Sequence, residues 1–496
     1  MLSSTSSTLP YEITLHVAQY VKSTDDRRNL ALCSRALCDM VLPLVYENFT
    51  LYGQGLNNII RWVETFLSKP RLASWVRSLT LQCWNTTANY EWHNWQDMFR
   101  EEDPEPPLPS PDDGLKFDKE LVRDAVKSLS SPHDEKAEAA WMADILAGNE
   151  DAWIALILFS LPNIESLHIT SPGFVRHPFV VLDKAAKREP PFDTRPAFTH
   201  LTDLTVEWWD TETGLDAKDL LPFYSFPSLR SVTGHMITEG YEGEDSHNYQ
   251  PIPKPTTPTS SVTELAFTES NACHGMQSQI QLCKNLKSFR YEHADGGTTG
   301  EGFQPQKFAQ SLSSAKHSLE SLYLDYHDSH YPIGHDNEDE VFGPSLAEFT
   351  RLKTIHLRLN NLSGIPHGLN EDPYNSLRLQ DLADVLPKSL ENLRVTDIDA
   401  SAYSHFILEL AEFLEENFNV VPNLKTLVIE GYGLSERDAP APVVDGTRRR
   451  GMKRRKPHLR PEVLEDAEGA RKACEAVGVK FELTDAAIIN YYRYWD

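Results

Sequence analysis

The chain has few cysteines and far fewer basic than acidic residues. Both features limit the classes of protein to which it can belong. Its six cysteines are scattered over 496 residues without a CxxC pair. That is too sparse for a disulfide scaffold of this size and favours a reducing compartment. Lysine and arginine number 47 against 73 aspartates and glutamates, which gives a net charge of −26. Non-specific binding to nucleic acid needs clustered basic residues, so that class of function is disfavoured.

Long hydrophobic runs are also missing. No apolar stretch reaches the ~20 residues that a membrane-spanning helix needs. The opening residues MLSSTSSTLPYEI lack the basic and apolar regions of a secretory signal peptide. Hydrophobic residues make up 40% of the chain, which is enough for a substantial core. We therefore expect a soluble intracellular protein in the cytoplasm, the nucleus or both.

Motifs of the common catalytic classes are absent as well. There is no GxSxG elbow, no helical HExxH pair and no cysteine in a recognisable catalytic setting. The glycine-rich stretch 295–302 lacks the Lys-Ser/Thr that ends a P-loop, which favours a flexible connection over a phosphate cradle. One segment combines imidazoles and carboxylates, and a polar loop is favoured there over a metal site. Its residues are His327, Asp328, His330, His335 and Asp336. We expect no enzyme activity, no metal site and no cofactor.

A short helical region lies near the amino end. Pro10 suits the first turn of a helix, and Ile13, Val17 and Tyr20 then recur at helical spacing. A second helical stretch is expected to break or kink near Pro43. Helices this short bury little surface alone. They need a partner, or the rest of the chain, to cover their apolar side.

This region resembles the F-box family. The family opens with Leu-Pro and an acidic residue before an aliphatic one, then continues through an acidic turn into a helical stretch that ends on Pro, Leu and Tyr. The matching residues are Leu9, Pro10, Glu12, Ile13, Asp25, Asp26, Leu30, Ala31, Leu32, Cys33, Ser34, Arg35, Pro43, Leu44 and Tyr46. The resemblance implies docking onto the Skp-type adaptor of an SCF ubiquitin ligase through Leu9, Pro10, Ile13, Leu32 and Leu37. The open alternative is a helical cluster that only caps the rest of the chain.

Beyond residue 60 a six-residue pattern, LxxLxL, recurs many times. Its first and fourth positions are aliphatic, and its sixth position is aliphatic or aromatic. Its copies are centred on Leu79, Leu167, Leu204, Val232, Leu265, Phe289, Leu322, Ile355, Leu393 and Leu427, with a degenerate last copy at Phe481. The spacing of the later copies lies within or just above the range of leucine-rich repeats. Helix-like stretches separate the copies, so each unit is predicted to be a strand followed by a crossover helix.

Together with WVRSLTL at 75–81, these features resemble filamentous-fungal F-box proteins with leucine-rich repeats. The resemblance implies an α/β fold: a three-helix F-box, followed by a curved leucine-rich-repeat solenoid with a parallel sheet and outer helices. The expected boundaries are an F-box at 1–50, a linker helix at 51–70, a degenerate repeat array at 71–485 and a tail at 486–496. A doubly wound α/β domain is the alternative.

Two charged insertions interrupt the array. Residues 85–151 hold 17 acidic and 6 basic side chains around EEDPEPPLPSPDD, and such a sequence is expected to be mobile and to bury no core. The loop 432–465 contains the strongest basic run. Its residues are Arg448, Arg449, Arg450, Lys453, Arg454, Arg455 and Lys456. A nuclear-import signal and a solvated loop are both consistent with this run.

Strand positions that face away from the core are the expected ligand contacts, because a repeat array presents them on one sheet face. Aromatic residues and arginines are favoured there as binding hot spots. The candidates are Trp208, Trp209, Arg290, Tyr323, Arg358 and Arg394. The resemblance implies a substrate-recognition subunit whose partners are a Skp-type adaptor, a cullin and an unknown protein target, with neither membrane nor nucleic acid. A ligase-independent interaction scaffold is the alternative.

Overall fold

The computed structural model describes most of the chain and divides it into two compact units. The described residues are 10–53, 55–86, 115–130, 135–173, 175–210, 213–239, 257–294, 303–326, 341–343, 345–364, 381–436, 457–486 and 488. Unit 1 comprises Met1–Thr211, Asp219–Thr233 and Thr259–Ser261. Unit 2 comprises Glu212–Lys218, Gly234–Pro258 and Val262–Asp496.

Strands and helices alternate along the chain. The helices are α1 (Tyr11–Gln19), α2 (Thr24–Cys33), α3 (Arg35–Tyr46), α4 (Leu56–Ser68), α5 (Pro70–Ala73), α6 (Lys119–Leu129), α7 (Glu135–Leu146), α8 (Glu150–Ser160), α9 (His177–Lys187), α10 (Gln277–Leu282), α11 (Pro305–Leu312), α12 (Leu359–Ser363), α13 (Leu382–Val385), α14 (Ala400–Glu416), α15 (Pro461–Asp466) and α16 (Glu468–Val477). The strands are β1 (Asn48–Tyr52), β2 (Ser78–Gln82), β3 (Ser166–Ser171), β4 (Asp203–Trp208), β5 (Leu215–Asp216), β6 (Ser231–His235), β7 (Ile237–Thr238), β8 (Glu264–Ser270), β9 (Ser288–His293), β10 (Ser321–Tyr326), β11 (Thr354–Arg358), β12 (Asn392–Asp399), β13 (Thr426–Tyr432), β14 (Ser435–Glu436), β15 (His458–Leu459) and β16 (Lys480–Asp485). Within the described residues, 3-10 helices cover Ala217–Ser225, Ser313–Ala315 and Phe418–Val420.

Unit 1 contains a parallel sheet in which β1, β2, β3 and β4 pair in that order. Leu79 aligns with Leu167, and Leu167 aligns with Leu204. All three side chains are at most 1% exposed. Side chains alternate between the two faces of a strand, so each LxL pair places two aliphatic residues on the same buried face. The repeating aliphatic pattern therefore sets the register of this sheet.

Unit 2 contains a longer parallel series, β8–β9–β10–β11–β12–β13–β16. Its aligned core residues, such as Leu322 and Ile355, are fully buried. The aliphatic residue that precedes each strand is buried too, as at Leu319 and Leu352. The degenerate last copy at Phe481 does form a strand, β16. The predicted α/β repeat with parallel strands is thus found in both units.

One backbone carbonyl before each strand links neighbouring repeats. The carbonyl of Lys287 accepts the N–H groups of Glu320 and Ser321 over 2.7 and 2.9 Å. The carbonyl of Glu320 in turn accepts those of Lys353 and Thr354 over 2.9 and 3.1 Å. The arrangement continues to Lys480 and also occurs in unit 1. It satisfies backbone groups that would otherwise be left unpaired where the chain enters the sheet.

We expected the insertion 85–151 to be mobile and to bury no core. This prediction is wrong for most of the second half of the insertion. Residues 115–130 and 135–151 are described, and they contain α6, α7 and the start of α8. Val126 is fully buried, and Trp141 is 6% exposed. Glu120, Asp124 and Glu135 are exposed on α6 and α7 while apolar residues recur at helical spacing, whereas Glu150 and Asp151 at the start of α8 are buried. The segment EEDPEPPLPSPDD lies outside the described residues.

The amino-terminal segment forms the three helices α1, α2 and α3. Ser34 separates α2 from α3, and its hydroxyl accepts the N–H of Leu37 over 3.2 Å as the cap of α3. The expected break near Pro43 does not occur, because α3 continues to Tyr46. The chain then enters β1, which lies across the predicted boundary between the F-box and the linker helix. Among the described residues, no helix combines the length and apolar character that crossing a bilayer requires.

Candidate functional site

The helices α1, α2 and α3 share a small core and leave other apolar residues exposed. Ala18, Ala31, Met40 and Val41 form that core, and each is at most 7% exposed. The apolar positions on the other side of α1 are not covered. We define the helical surface as Pro10, Ile13, Val17 and Leu32; the last three are 48%, 56% and 83% exposed. Exposed aliphatic side chains in a group of this kind mark interaction sites.

Arg27 fixes the arrangement of these helices. Its side chain donates hydrogen bonds to the carbonyls of Val21 and Leu44, each over 2.7 Å. Its guanidinium also lies 3.5 Å from the Glu47 carboxylate. Carbonyls near the ends of two helices are thereby satisfied by one planar cation. This role of Arg27 is not apparent from the sequence, because its partners lie outside its own helix, after α1 and at the end of α3.

The five residues predicted to face an adaptor are placed differently. Leu9 lies outside the described residues. Pro10, Ile13 and Leu32 are exposed. Leu37 is half-buried in the first turn of α3. Three of the five are therefore accessible to another polypeptide.

The strands of unit 2 carry a polar face opposite their buried aliphatic residues. We define the polar face of unit 2 by its aligned members Arg290 on β9, Tyr323 on β10, His356 on β11 and Arg394 on β12. The guanidinium carbon of Arg290 lies 4.2 Å from the centre of the Tyr323 ring. The rings of Tyr323 and His356 have their centres 3.8 Å apart. Stacking of cation, phenol and imidazole holds this row in place.

Asp325 is the centre of the hydrogen bonds on this face. One of its carboxylate oxygens lies 3.0 Å from Nε2 of His356 and accepts the Tyr323 hydroxyl over 3.4 Å. The other oxygen accepts the Thr396 hydroxyl over 3.5 Å. Burial raises the pKa of Tyr323, and the nearby Asp325 and Glu292 carboxylates raise it further. Tyr323 therefore remains a neutral hydrogen-bond donor at physiological pH.

Both exposed arginines of the face are paired internally. Nε of Arg290 donates to the Glu292 carboxylate over 3.1 Å, and Arg394 forms an ion pair with Glu430. The Arg290 and Arg394 side chains are still 48% and 39% exposed. An arginine has five N–H donors, so each keeps donors for a partner.

The prediction that Arg358 is an exposed ligand contact is wrong. Its side chain is 3% exposed and forms an ion pair with Asp397 over 2.6 Å. The guanidinium carbon also lies 5.2 Å from the centre of the Tyr326 ring. Asp397 follows a shift in strand register and has φ 58, a conformation that Asp tolerates better than most residues. The alternation of side chains along β11 correctly predicted that Arg358 faces away from the aliphatic core. It could not predict that Asp397 and Tyr326 cover the Arg358 side chain.

In unit 1, the two predicted tryptophans do not share one face. Trp208 lies at an alternate position of β4 from Leu204 and Val206, so it is on the same side of the strand as these two buried residues. Its side chain is half-buried. Trp209 follows on the opposite side and is 43% exposed. The prediction that both indoles lie on the exposed face is therefore wrong for Trp208. Trp209 is the indole available to a ligand on the sheet.

Buried carboxylates hold several loops that follow the strands. Asp151 accepts the N–H groups of Arg176 and His177 after β3, over 3.0 and 2.8 Å. In unit 2, Glu239 accepts those of His274 and Met276, and Asp485 accepts that of Leu434 over 2.6 Å. These carboxylates are at most 2% exposed. These repeats lack a regular Asn after the strand. The buried carboxylates accept hydrogen bonds from loop N–H groups that would otherwise be left unpaired.

Three predicted features fall outside the described residues: the basic run 448–456, the glycine-rich stretch 295–302 and the cluster from His327 to Asp336. Within the part of the chain that the structure describes, no three His, Cys, Asp or Glu side chains are grouped so as to hold a metal ion. The described polar clusters instead consist of ion pairs and hydrogen bonds to backbone.

The chain matches a protein-family model. The family model for the leucine-rich repeat domain matches residues 52–439. This range covers the strands β2 to β13 and begins at the last residue of β1. No curated protein matches the chain.

Proposed function

Since this chain belongs to the leucine-rich repeat domain family, a class of protein-interaction scaffold, we propose that it recruits a protein target to a ubiquitin ligase. In this proposal it is the substrate-recognition adaptor of an SCF-type cullin-RING ligase. The amino-terminal helices bind the Skp-type adaptor, and the repeats bind the target. The resulting ubiquitin transfer directs the target to degradation.

The observation that carries the proposal is the exposure of Ile13, Val17 and Leu32. Each fully buried aliphatic side chain stabilises an interface by roughly 1.5–3 kcal/mol relative to its exposed state. Leaving several of them in water is unfavourable unless another polypeptide covers them. Ile13 and Leu32 are two of the five residues that the F-box resemblance assigns to adaptor binding, and Val17 lies one helical turn after Ile13 on α1.

The target side of the proposal relies on the polar faces of the repeats. Trp209, Arg290, Tyr323 and Arg394 are accessible and belong to residue types that dominate binding energy at interfaces. Arg358 is not included because its side chain is buried, and Trp208 is not included because it lies on the side of β4 that carries the buried Leu204 and Val206.

In the proposed mechanism this chain performs no chemistry. Holding a target lysine close to a charged conjugating enzyme raises the effective concentration of the reacting groups. The catalytic step then belongs to the ligase assembly. The rate gain depends on simultaneous binding of adaptor and target, so weakening either surface reduces ubiquitin transfer.

A pull-down with a purified Skp-type adaptor tests the proposal. We expect the full chain to retain the adaptor and the double variant Ile13→Asp, Val17→Asp to lose at least about tenfold in affinity, because charge would enter the apolar contact. Leu408→Asp is the matched control, since Leu408 is 62% exposed on α14 and lies outside the helical surface. Failure of the unaltered chain to bind, while a known F-box protein binds, would refute the proposal.

A second candidate is a ligase-independent scaffold whose amino-terminal helices only cap the repeats. One contact favours it: the Glu47 carbonyl, after α3, accepts the N–H groups of Arg77 and Ser78 at the start of β2, over 2.9 and 3.0 Å. The residue that joins α3 to β1 thus takes part in the repeat hydrogen bonding, which places the last of the three helices directly beside the first strand. Deleting residues 1–46 separates the candidates. The scaffold would be favoured if the deletion lowers the melting temperature and the full-length chain binds no adaptor.

A further inference from the structure

The last strand of unit 2, β16, has one open edge. It pairs in parallel with β13, and among the described residues no strand pairs with its other edge. The N–H of Lys480 donates to the carbonyl of Lys425 over 2.8 Å, so the backbone groups of Lys480 and Glu482 point toward β13. Those of Phe481 and Leu483 alternate with them and point away from β13. Backbone groups along such an edge are a template for pairing with another strand.

The apolar side of β16 is also incompletely covered. Phe481 and Leu483 align with Leu427 and Ile429 of β13. The two β13 residues are 0% exposed, whereas Phe481 and Leu483 are partly exposed. In unit 1, by contrast, Phe49 of the first strand β1 is only 7% exposed. The apolar faces of a repeat are covered by neighbouring repeats, so β16 keeps apolar surface that a further strand on its open edge would cover.

The polar side of β16 carries two opposite charges. The side chains of Lys480 and Glu482 are 71% and 46% exposed and form an ion pair with each other. Because these charges are opposite in sign and two residues apart, β16 is complementary to an antiparallel copy of itself. When Phe481 lies opposite Phe481 of the copy, Lys480 lies opposite Glu482 and Glu482 lies opposite Lys480. Val479, which precedes β16, then lies opposite Leu483, so apolar side chains meet on the core side.

The neighbouring registers are less favourable. A shift of the copy by two residues in one direction places Glu482 opposite Glu482, and a shift in the other direction places Lys480 opposite Lys480. Like charges directly opposite each other destabilise an antiparallel pair. A shift by one residue would turn the apolar side chains of one copy to the polar side of the other. The charges and the apolar pattern therefore select the same register, the one centred on Phe481.

We propose that β16 pairs antiparallel with β16 of a second copy of this chain, about a two-fold axis at Phe481. The two-fold axis makes the interface closed, so the product is a dimer. This inference goes beyond the proposed function and does not rest on it. Stable interfaces bury roughly 1,200–2,000 Å². An edge of six residues per copy covers less, so we expect a weak dimer with a dissociation constant of about 10–100 µM.

Sedimentation velocity of the purified full chain, over concentrations that bracket this dissociation constant, tests the proposal. Lys480→Glu and Glu482→Lys should each weaken the dimer at least about tenfold, because both charge pairs across the axis become repulsive. The double variant Lys480→Glu, Glu482→Lys should restore the affinity to within about threefold, since the charges are again opposite in the same register. Lys316→Glu is the matched control. It makes the same change of net charge at a 38%-exposed lysine that pairs with Glu348 in another repeat.

An equimolar mixture of the two single variants separates pairing between copies from an effect within one chain. Each variant loses its own Lys480–Glu482 ion pair, yet every charge of one variant is opposite in sign to those of the other. We expect the mixture to form the heterodimer at concentrations where each variant alone is a monomer. A variant that had merely unfolded could not be restored by mixing.

Several results would overturn the proposal. These are a full chain that stays monomeric, a dimer indifferent to both single variants, or a failure of the double variant and the mixture to restore it. A monomeric full chain that dimerises after removal of residues 489–496 would identify this segment as the occupant of the edge instead. Association that grows beyond a dimer would indicate head-to-tail pairing rather than a two-fold axis. None of these outcomes involves the Skp-type adaptor, so the pull-down is decided separately.

Discussion

The backbone N–H of His177 donates a hydrogen bond of 2.8 Å to the buried carboxylate of Asp151. The same oxygen accepts the N–H of Arg176 over 3.0 Å, and Asp151 itself is 1% exposed. Its burial raises the pKa of this carboxyl despite these hydrogen bonds. One side chain of α8 thus determines where the chain enters α9.

We expect Asp151→Ala to lower the free energy of unfolding by about 2 kcal/mol, because the buried N–H of His177 and the partly buried N–H of Arg176 lose their acceptor. Thermal or denaturant unfolding would measure the change, and amide exchange at Arg176 and His177 would localise it. Asp183→Ala is the control. Asp183 pairs with Lys187 on the surface of α9, where a single ion pair contributes at most about 1 kcal/mol. Equal losses in the two variants would contradict the assigned role.

The pH dependence of stability should report on Glu150, which neighbours Asp151. Burial raises the pKa of Glu150 above its ordinary value of 4.5. Between that value and the raised one, the folded state binds more protons than the unfolded state. The contribution of Glu150 to stability therefore falls as the pH rises through this window.

We expect Glu150→Gln to remove this contribution while Gln still accepts the Asn85 N–H, which Glu150 binds over 2.8 Å. The variant should gain stability relative to the unaltered chain at pH 7 but not at pH 4. Denaturant unfolding at both pH values would measure the difference. A stability difference that is the same at both pH values would show that the Glu150 pKa is not raised in the folded protein.

Alternating charges connect the repeats of unit 2 just before their strands. The Glu320 carboxylate lies 3.8 Å from Lys287, 3.6 Å from Lys353 and 3.4 Å from Arg351. We expect Glu320→Lys to lower the free energy of unfolding by about 1–2 kcal/mol, because three attractions become repulsions. Raising the salt concentration should recover much of the loss through screening. Glu320→Gln should lose less, and a salt-independent loss for Glu320→Lys would point to packing instead.

Arg358 and Arg290 should respond differently to truncation. Arg358→Ala removes the buried partner of Asp397, and we expect a loss of about 2–4 kcal/mol in the free energy of unfolding. Arg290→Ala should change stability by less than about 1 kcal/mol, because its ion pair with Glu292 is partly solvated. Denaturant unfolding of both variants would distinguish them. A small effect at Arg358 would contradict the stabilising role assigned to its ion pair with Asp397.

The strands could be predicted because their pattern depends on neighbours in sequence. Aliphatic residues at alternate positions, such as Leu322 and Leu324, point to the same face of a strand. Burying both of them therefore determines which face of the strand is turned to the core. The helix-like stretch expected between the copies centred on Leu393 and Leu427 was found as α14 for a similar reason, since its apolar residues recur at helical spacing. The strand β1 was missed because the adjoining helical pattern dominated the interpretation of residues 48–52.

The candidate sites were only partly predictable. Strand parity identified Arg290 and Tyr323 as facing away from the core, but it could not show that Arg358 is covered. Nor could composition reveal that Val126 and Trp141 lie in buried helical faces within an acidic insertion. Both outcomes depend on contacts between distant segments of the chain.

The amino-acid sequence by itself determined the repeat: the positions of the strands, their parallel register and the identity of the buried aliphatic residues follow from local periodicity. The tertiary structure alone decided which polar groups remain accessible. Asp397 neutralises Arg358, Asp151 binds the loop before α9, and the core of α1 to α3 leaves Ile13 outward. These relationships join residues that only folding brings together, because ion pairing and desolvation depend on distance in space rather than along the chain.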